Sequence, residues 1–253
     1  MGRKSKLRRF AEVATFSNVY EIDPAQESFI SNQEGLSRDL RGQWADVHFH
    51  NDHPVILELA CGKGDYTVAL ARDHAEKNYI GVDIKGARMW RGARTALETG
   101  LNNVAFLRTR IEFIDRFFAP GEVSEIWITF PDPQLRVSRA KKRLTHPKFL
   151  RLYQQVLQPG GLIHLKTDSP NLYQFTRQVA DMYGLKTHTD YEDVYAINEL
   201  TPELKIKTHY EELDIAESNR VHYLCISLPE VLPDSSKDPE LKEQLKLNDE
   251  EVI

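Results

Sequence analysis

A chain of 253 residues with 41% hydrophobic and 28% charged side chains buries a core of its own, which excludes disorder as its dominant state. The net charge of −5 sits in residues 229–253, where eight acids face three lysines, so residues 1–228 balance and nothing in them excludes a polyanionic partner. No apolar run nears the roughly 20 residues of a membrane helix, and Cys61 and Cys225 alone are too few for a disulfide framework or a cysteine-rich zinc site.

Residues 1–45 show no strong hydrophobic period. They open with Arg3, Lys4, Lys6, Arg8 and Arg9 ahead of any acid, and a basic, partly flexible N-terminal arm is expected. The segment lacks the apolar stretch and small-residue cleavage site of a secretory signal, so a cytoplasmic protein is expected. His48, His50 and His53 read as loop histidines rather than a metal site, because no acid or cysteine ligand set accompanies them.

From residue 54 the pattern becomes strand, turn, helix, repeated. Val55–Ala60 is an apolar run broken by one Glu, as in a parallel strand buried on both faces. Gly62 and Gly64 end it, and a helix follows from Asp65 to about Ala75. Tyr79–Ile84 is the second strand, Ala87–Glu98 a helix and Val104–Arg108 the third strand. Glu125–Phe130 is the fourth strand, stopped by Pro131. After a basic loop come a helix over Pro147–Leu157, the breaker Pro159-Gly160-Gly161, and the fifth strand Leu162–Lys166. Ser169 caps the next helix and Pro170 opens it. Val221–Leu228 is a late antiparallel edge strand, and residues 229–253 form an acidic tail or short helix. The alternation predicts an α/β, Rossmann-like, doubly wound and mostly parallel sheet over residues 46–228, with ligands bound beyond the carboxyl ends of its strands.

Two ligand-facing segments stand out. In Glu58-Leu59-Ala60-Cys61-Gly62-Lys63-Gly64 the glycines allow a tight turn, and a carboxylate within an apolar strand is costly unless it binds something. Thr67 stands where a dinucleotide fingerprint needs a third glycine, which argues against NAD. Asp83, at the end of the second strand, is placed to accept the hydroxyls of a ribose, and the pair suits S-adenosylmethionine, a nucleoside ligand without phosphate. The plainer reading is a helix cap for Asp83 and a lysine partner for Glu58. The second segment is Phe130-Pro131-Asp132-Pro133, which fixes a carboxylate at the same sheet edge. The acid-free run with Arg136, Arg139, Lys141, Lys142 and Arg143 follows and suits phosphates.

Residues 130–144, FPDPQLRVSRAKKRL, resemble the fourth-strand loop FPDPWPKKRHNKRRL of the bacterial tRNA (guanine-N7)-methyltransferase family. The resemblance extends to the loop at Glu58, to Asp83, to Asn103–Arg108, to Leu165–Asp168 and to THYE at Thr208–Glu211. It implies a class I methyltransferase fold, S-adenosylmethionine as donor, and a guanosine of the tRNA variable loop as acceptor. Carried over, it places Glu58, Gly62, Gly64, Asp83 and Arg110 around the cofactor and Asp132 at the reaction site. It gives Arg136, Asp168, Thr208, His209, Tyr210 and Glu211 to the tRNA, with Arg139, Lys141, Lys142 and Arg143 beside them. Three positions depart from the family pattern: Gln134 replaces a Trp, Arg136-Val137-Ser138 replaces KKR, and Arg110 replaces a carboxylate near the adenine.

Guanine N7 has a lone pair and no proton to lose, so the implied reaction needs positioning and electrostatic stabilisation rather than a base or a metal. A carboxylate complements the donor groups of guanine's Watson–Crick edge, which suits Asp132 with Glu211 or Asp168. Rival readings are a methyltransferase of another RNA or of a small molecule, and a non-catalytic RNA-binding relative. The sequence leaves monomer and homodimer open.

Overall fold

The computed structural model describes residues 6–23, 26–31, 37–208, 211 and 220–250. Ten strands form one sheet: β1 (Val19–Asp23), β2 (Gln26–Ser31), β3 (Ser37–Arg38), β4 (Val55–Leu59), β5 (Asn78–Asp83), β6 (Val104–Arg108), β7 (Val123–Thr129), β8 (Leu157–Thr167), β9 (Lys186–Tyr191) and β10 (His222–Ser227). Their order is β3-β2-β1-β6-β5-β4-β7-β8-β10-β9. The run from β1 through β8 in that order is parallel. β10 is antiparallel to β8, and the two-strand extension beyond β1 is also antiparallel.

Helices cover both faces. α1 (Lys6–Val13), α2 (Asp65–Asp73) and α3 (Gly86–Glu98) pack on one face, where Val13, Val68, Leu70, Met89 and Ala93 share a core with Ile56 and Phe106. α4 (Pro147–Gln154), α5 (Pro170–Tyr183) and α7 (Asp238–Glu250) pack on the other, where Phe149, Leu172, Val179 and Leu241 meet Leu57, Ile126 and Leu165. A short α6 (Pro202–Lys205) lies on the first face through Leu204. The continuous burial of β4 and β5 accounts for their unbroken apolar sequences.

The predicted central elements stand, with three differences at the margins. β1 adds a parallel strand to β6 within residues 1–45, where no strand was expected. The predicted breaker Pro159-Gly160-Gly161 lies inside β8, near its start, where residues 158–160 are exposed and the pairing with β7 skips from Leu157 to Leu162, and α4 ends at Gln154. The late antiparallel strand is β10, but β9 pairs outside it and takes the edge. Residues 238–250 form a helix tied back by Arg151, which holds Asp238 at 2.6 and 3.1 Å.

The strand order reverses at β4, with β5 on one side and β7 on the other. Their carboxyl ends open a crevice where the loops diverge.

Candidate active site

Glu58, the fourth residue of β4, is 4% exposed. Its carboxylate accepts the Thr67 N–H at 2.9 Å, the Thr67 hydroxyl, and the Thr129 hydroxyl at 2.7 Å. The side chain therefore joins β4, the first turn of α2 and the end of β7. Thr67, the residue that breaks the dinucleotide pattern, is the main partner, and no lysine is needed to explain the buried acid. Burial pushes the Glu58 pKa up to about 7, against hydrogen bonds that pull it down.

This shift has a consequence for stability. The folded chain holds the Glu58 proton more tightly than the unfolded chain, so stability falls as pH rises from about 4.5 to about 7. The contribution is about 3 kcal/mol. Glu58→Gln keeps an acceptor for Thr67 and offers a donor to Thr129, and it should remove this part of the pH slope. Urea unfolding of both proteins at pH 5 and pH 7.5 measures it; equal pH slopes would assign the titration to another group.

The loop that follows turns sharply, with left-handed backbone at Ala60 (φ 59°), Gly62 (φ 57°) and Gly64 (φ 71°). Gly64 is fixed by packing as well, since a Cβ there would lie 2.5 Å from the Phe106 ring. Asp83 closes the turn from β5: Oδ2 accepts the Gly62 N–H at 2.9 Å and Oδ1 accepts the Lys85 N–H at 2.8 Å. Cys61 is buried, and burial pushes its thiol pKa up, which suits packing and not nucleophilic attack.

On the other side of β4, residues 130–135 leave β7 in a strained turn. Phe130 and Gln134 both have φ 47°, a region that non-glycine residues seldom occupy. Asp132 Oδ1 accepts the Gln134 N–H at 3.0 Å, so the acid shapes the loop that presents it. Arg143 holds the same loop from behind: its guanidinium donates to the Gln134 carbonyl at 3.3 Å, the Leu135 carbonyl at 3.2 Å and Asn171 Oδ1 at 2.9 Å. It also lies 4.5 Å from the Phe175 ring centroid. Arg143 was expected among the phosphate-binding cations. The structure corrects this, because at 2% exposure it is a buried clamp with its donors directed inward.

A second clamp comes from Lys166, which is fully buried in β8. Its Nζ donates to the carbonyls of Leu204 (3.1 Å) and Ile206 (2.8 Å) and to Glu211 Oε2 (3.0 Å). Burial lowers the Lys166 pKa and raises that of Glu211, and the opposite charge of each partner works against both shifts. Glu211 also accepts the Tyr195 hydroxyl, and its N–H donates to Thr208 Oγ1 at 3.2 Å. The Lys166 anchor thereby draws the segment bearing Thr208 over the strand ends.

These loops enclose a cavity of about 930 Å³, within the range of small-molecule sites. It brings together Glu58, Gly62, Asp83, Arg110, Asp132, Asp168, Thr208 and Lys142 from the sequence-derived set. Gly64, Arg136, Arg139, Lys141 and Glu211 stand outside its lining; the three cations are exposed on the turn over residues 136–142, and Glu211 acts through Lys166. His209 and Tyr210 lie outside the described residues. Ser169, not Asp168, caps α5 by accepting the Leu172 N–H.

Sequence reasoning missed several contributors. Ile84, 47% exposed, and Ile111 give the Asp83 end an apolar wall. Thr109, also in the lining, is wholly buried with a hydroxyl that has no hydrogen-bond partner among the described residues. Lys166 carries a signal of its own, a lysine ending an apolar strand. Among the described residues no group of three or more His, Cys, Asp and Glu is arranged to hold a metal ion, and no helix is long and apolar enough to cross a membrane.

The reversal at β4 and the cavity over the strand ends define a Rossmann-like, doubly wound fold, the one class I methyltransferases have. Solved methyltransferases share it: the 16S rRNA methyltransferase KamB aligns over 77% of this chain and 97% of its own with a TM-score of 0.56 at 16% identity. A 16S rRNA adenine methyltransferase from Catenulisporales acidiphilia, solved with its cosubstrate SAM, aligns over 79% of this chain and 96% of its own with a TM-score of 0.50 at 14% identity. A family described as putative methyltransferase matches residues 52–224. The chain is 49% identical to a tRNA (guanine-N7)-methyltransferase of Christiangramia forsetii, over 88% of this chain and 98% of that one. It is 47% identical to the Porphyromonas gingivalis enzyme of the same name, over 90% of this chain and 91% of that one. This chain belongs to the tRNA (guanine-N7)-methyltransferase family.

Proposed function

We propose that this protein methylates N7 of a guanosine in the variable loop of tRNA, with S-adenosylmethionine as donor, in the cytoplasm. The observation that carries the reading is one cavity holding Asp83 and Asp132 on opposite sides of β4, in a chain of this family.

The residues present fit the donor. Asp83 spends one lone pair of each oxygen on a backbone N–H and keeps acceptor capacity for ribose hydroxyls. Ile84 and Ile111 suit a flat apolar ring, and the orphaned Thr109 hydroxyl adds a polar group at that end, where Arg110 replaces the carboxylate of the family pattern. Glu58 holds the loop through Thr67 and Thr129, so its part is to fix the turn beneath the ligand. When bound, S-adenosylmethionine supplies a methyl group on a positively charged sulfur.

The rest falls to the protein. Guanine N7 carries no proton, so the chain holds the base with N7 toward the methyl group and needs no base catalyst. The guanine becomes cationic as N7 is methylated, and its N1–H and N2–H become stronger donors. Asp132, rigid on its strained loop, accepts from that edge and stabilises the charge. Adenine presents an acceptor at the same place and is refused. Arg136, Arg139, Lys141 and Lys142, exposed beside the cavity, hold RNA phosphates without choosing the base.

The test is incubation with labelled S-adenosylmethionine and unmodified tRNA, then nucleoside digestion and mass spectrometry. The expected product is 7-methylguanosine from the variable loop. Methylation at another position, or tRNA binding with no methylation, overturns the reading, and the second result favours a non-catalytic RNA-binding protein.

A further inference from the structure

Leu135 is an anomaly on the acceptor side of the cavity. It is 61% exposed yet lines the cavity, on the loop that carries Asp132. An exposed leucine on a mobile surface loop is unremarkable, but this backbone is pinned. Arg143 donates to the carbonyls of Gln134 and of Leu135 itself, Asp132 caps the Gln134 N–H, and Gln134 is held at φ 47°. A strained and doubly tied loop that ends in an apolar side chain directed to water implies that the side chain meets something absent from the free protein.

The chemistry of the surroundings selects what that is. Asp132 supplies a polar group for one edge of a base, and Lys142, also in the lining, supplies a cation for a phosphate. Neither offers anything to the flat face of a purine. Thr208 and Asp168 are polar, and the other apolar residues of the lining over residues 130–149, Phe130, Pro131, Pro133, Leu144 and Phe149, are buried or half-buried. The other exposed aliphatic group of the cavity, Ile84, adjoins Asp83 and belongs to the donor end. We infer that Leu135 is the apolar platform for the face of the acceptor guanine, placed so that the base meets Asp132 by its edge while it rests on the leucine. The inference builds on the tRNA methyltransfer reading and assigns it a substrate-contact residue.

A platform of this kind acts on the acceptor alone. Leu135→Ala should leave the melting temperature and the affinity for S-adenosylmethionine unchanged within about twofold, since the side chain packs against little in the free protein. The kcat/KM for tRNA should fall roughly tenfold, the effect of removing an apolar contact in a substrate pocket. Leu135→Met should restore it. Leu135→Trp gives a direct signal: titration with unmodified tRNA in the presence of S-adenosylhomocysteine should quench its emission beyond the change seen in the parent protein, as guanine stacks on the indole.

The experiment measures donor binding, tRNA kcat and KM, and quenching on full-length protein in parallel. An alanine variant with parent-like tRNA kinetics overturns the platform, as does the absence of extra quenching in L135W. A parent protein that binds the donor and methylates no tRNA overturns the methyltransfer reading, and the role of Leu135 falls with it.

Discussion

Asp132→Asn should lower the single-turnover rate on saturating tRNA by about 100-fold or more, with affinity for S-adenosylmethionine unchanged within about twofold. The magnitude is that of removing one preorganised group aimed at developing charge. Asparagine isolates the charge because its carbonyl still accepts the Gln134 N–H, so the turn between Phe130 and Leu135 survives. Alanine loses both functions and mixes the two effects. The amide also sets a donor against guanine N1–H, so the variant loses discrimination against adenine together with rate. Rapid-quench measurement of methyl transfer to bound tRNA checks it; an unchanged rate in D132N removes Asp132 from the chemistry.

The centre of this fold was legible because its signals are local. β4, β5, β6 and β7 are buried on both faces, and each announces itself as an apolar run followed by a turn. The margins were not. β9 reads KTHTDY and buries nothing fully, so no period marks it, and its strand state comes from pairing with β10. β1 carries Glu21, which looks like a loop residue until Arg108 of β6 meets it at 2.8 Å. Gly160 and Gly161 read as a break, and although β8 runs through them, its pairing with β7 skips from Leu157 to Leu162, where the predicted fifth strand begins.

The site divides in the same way. Asp83 and Asp132 are legible as cavity residues because acids at strand ends in a doubly wound sheet point to the crevice. Arg143 was misplaced because charge composition cannot distinguish a cation facing phosphate from one turned inward onto carbonyls and an aromatic ring. Its neighbours Lys141 and Lys142 remain exposed. Leu135 and Lys166 escaped notice for a shared reason: a hydrophobic residue in water and a lysine in the core are informative only once burial is known.

Lys166→Met should be the most destabilising of these changes. The parent side chain, fully buried, satisfies two carbonyls and the Glu211 carboxylate, itself only 6% exposed. Methionine fills similar space and leaves three acceptors without that donor, one of them charged. Breaking a buried pair by removing one partner costs about 3–5 kcal/mol, which for a chain of this size lowers the melting temperature by roughly 10 °C. Glu211→Gln should cost less, since the amide still accepts from the ammonium and the Tyr195 hydroxyl keeps a partner. The double variant K166M/E211Q should recover part of the loss, because no uncompensated carboxylate remains. Activity should not recover with it. The carbonyls of Leu204 and Ile206 stay untied, the segment to Thr208 loses its anchor, and one wall of the acceptor cavity goes with it. Calorimetry with tRNA methylation on all three variants separates the two effects: stability should follow the charge balance, and catalysis should follow the lysine.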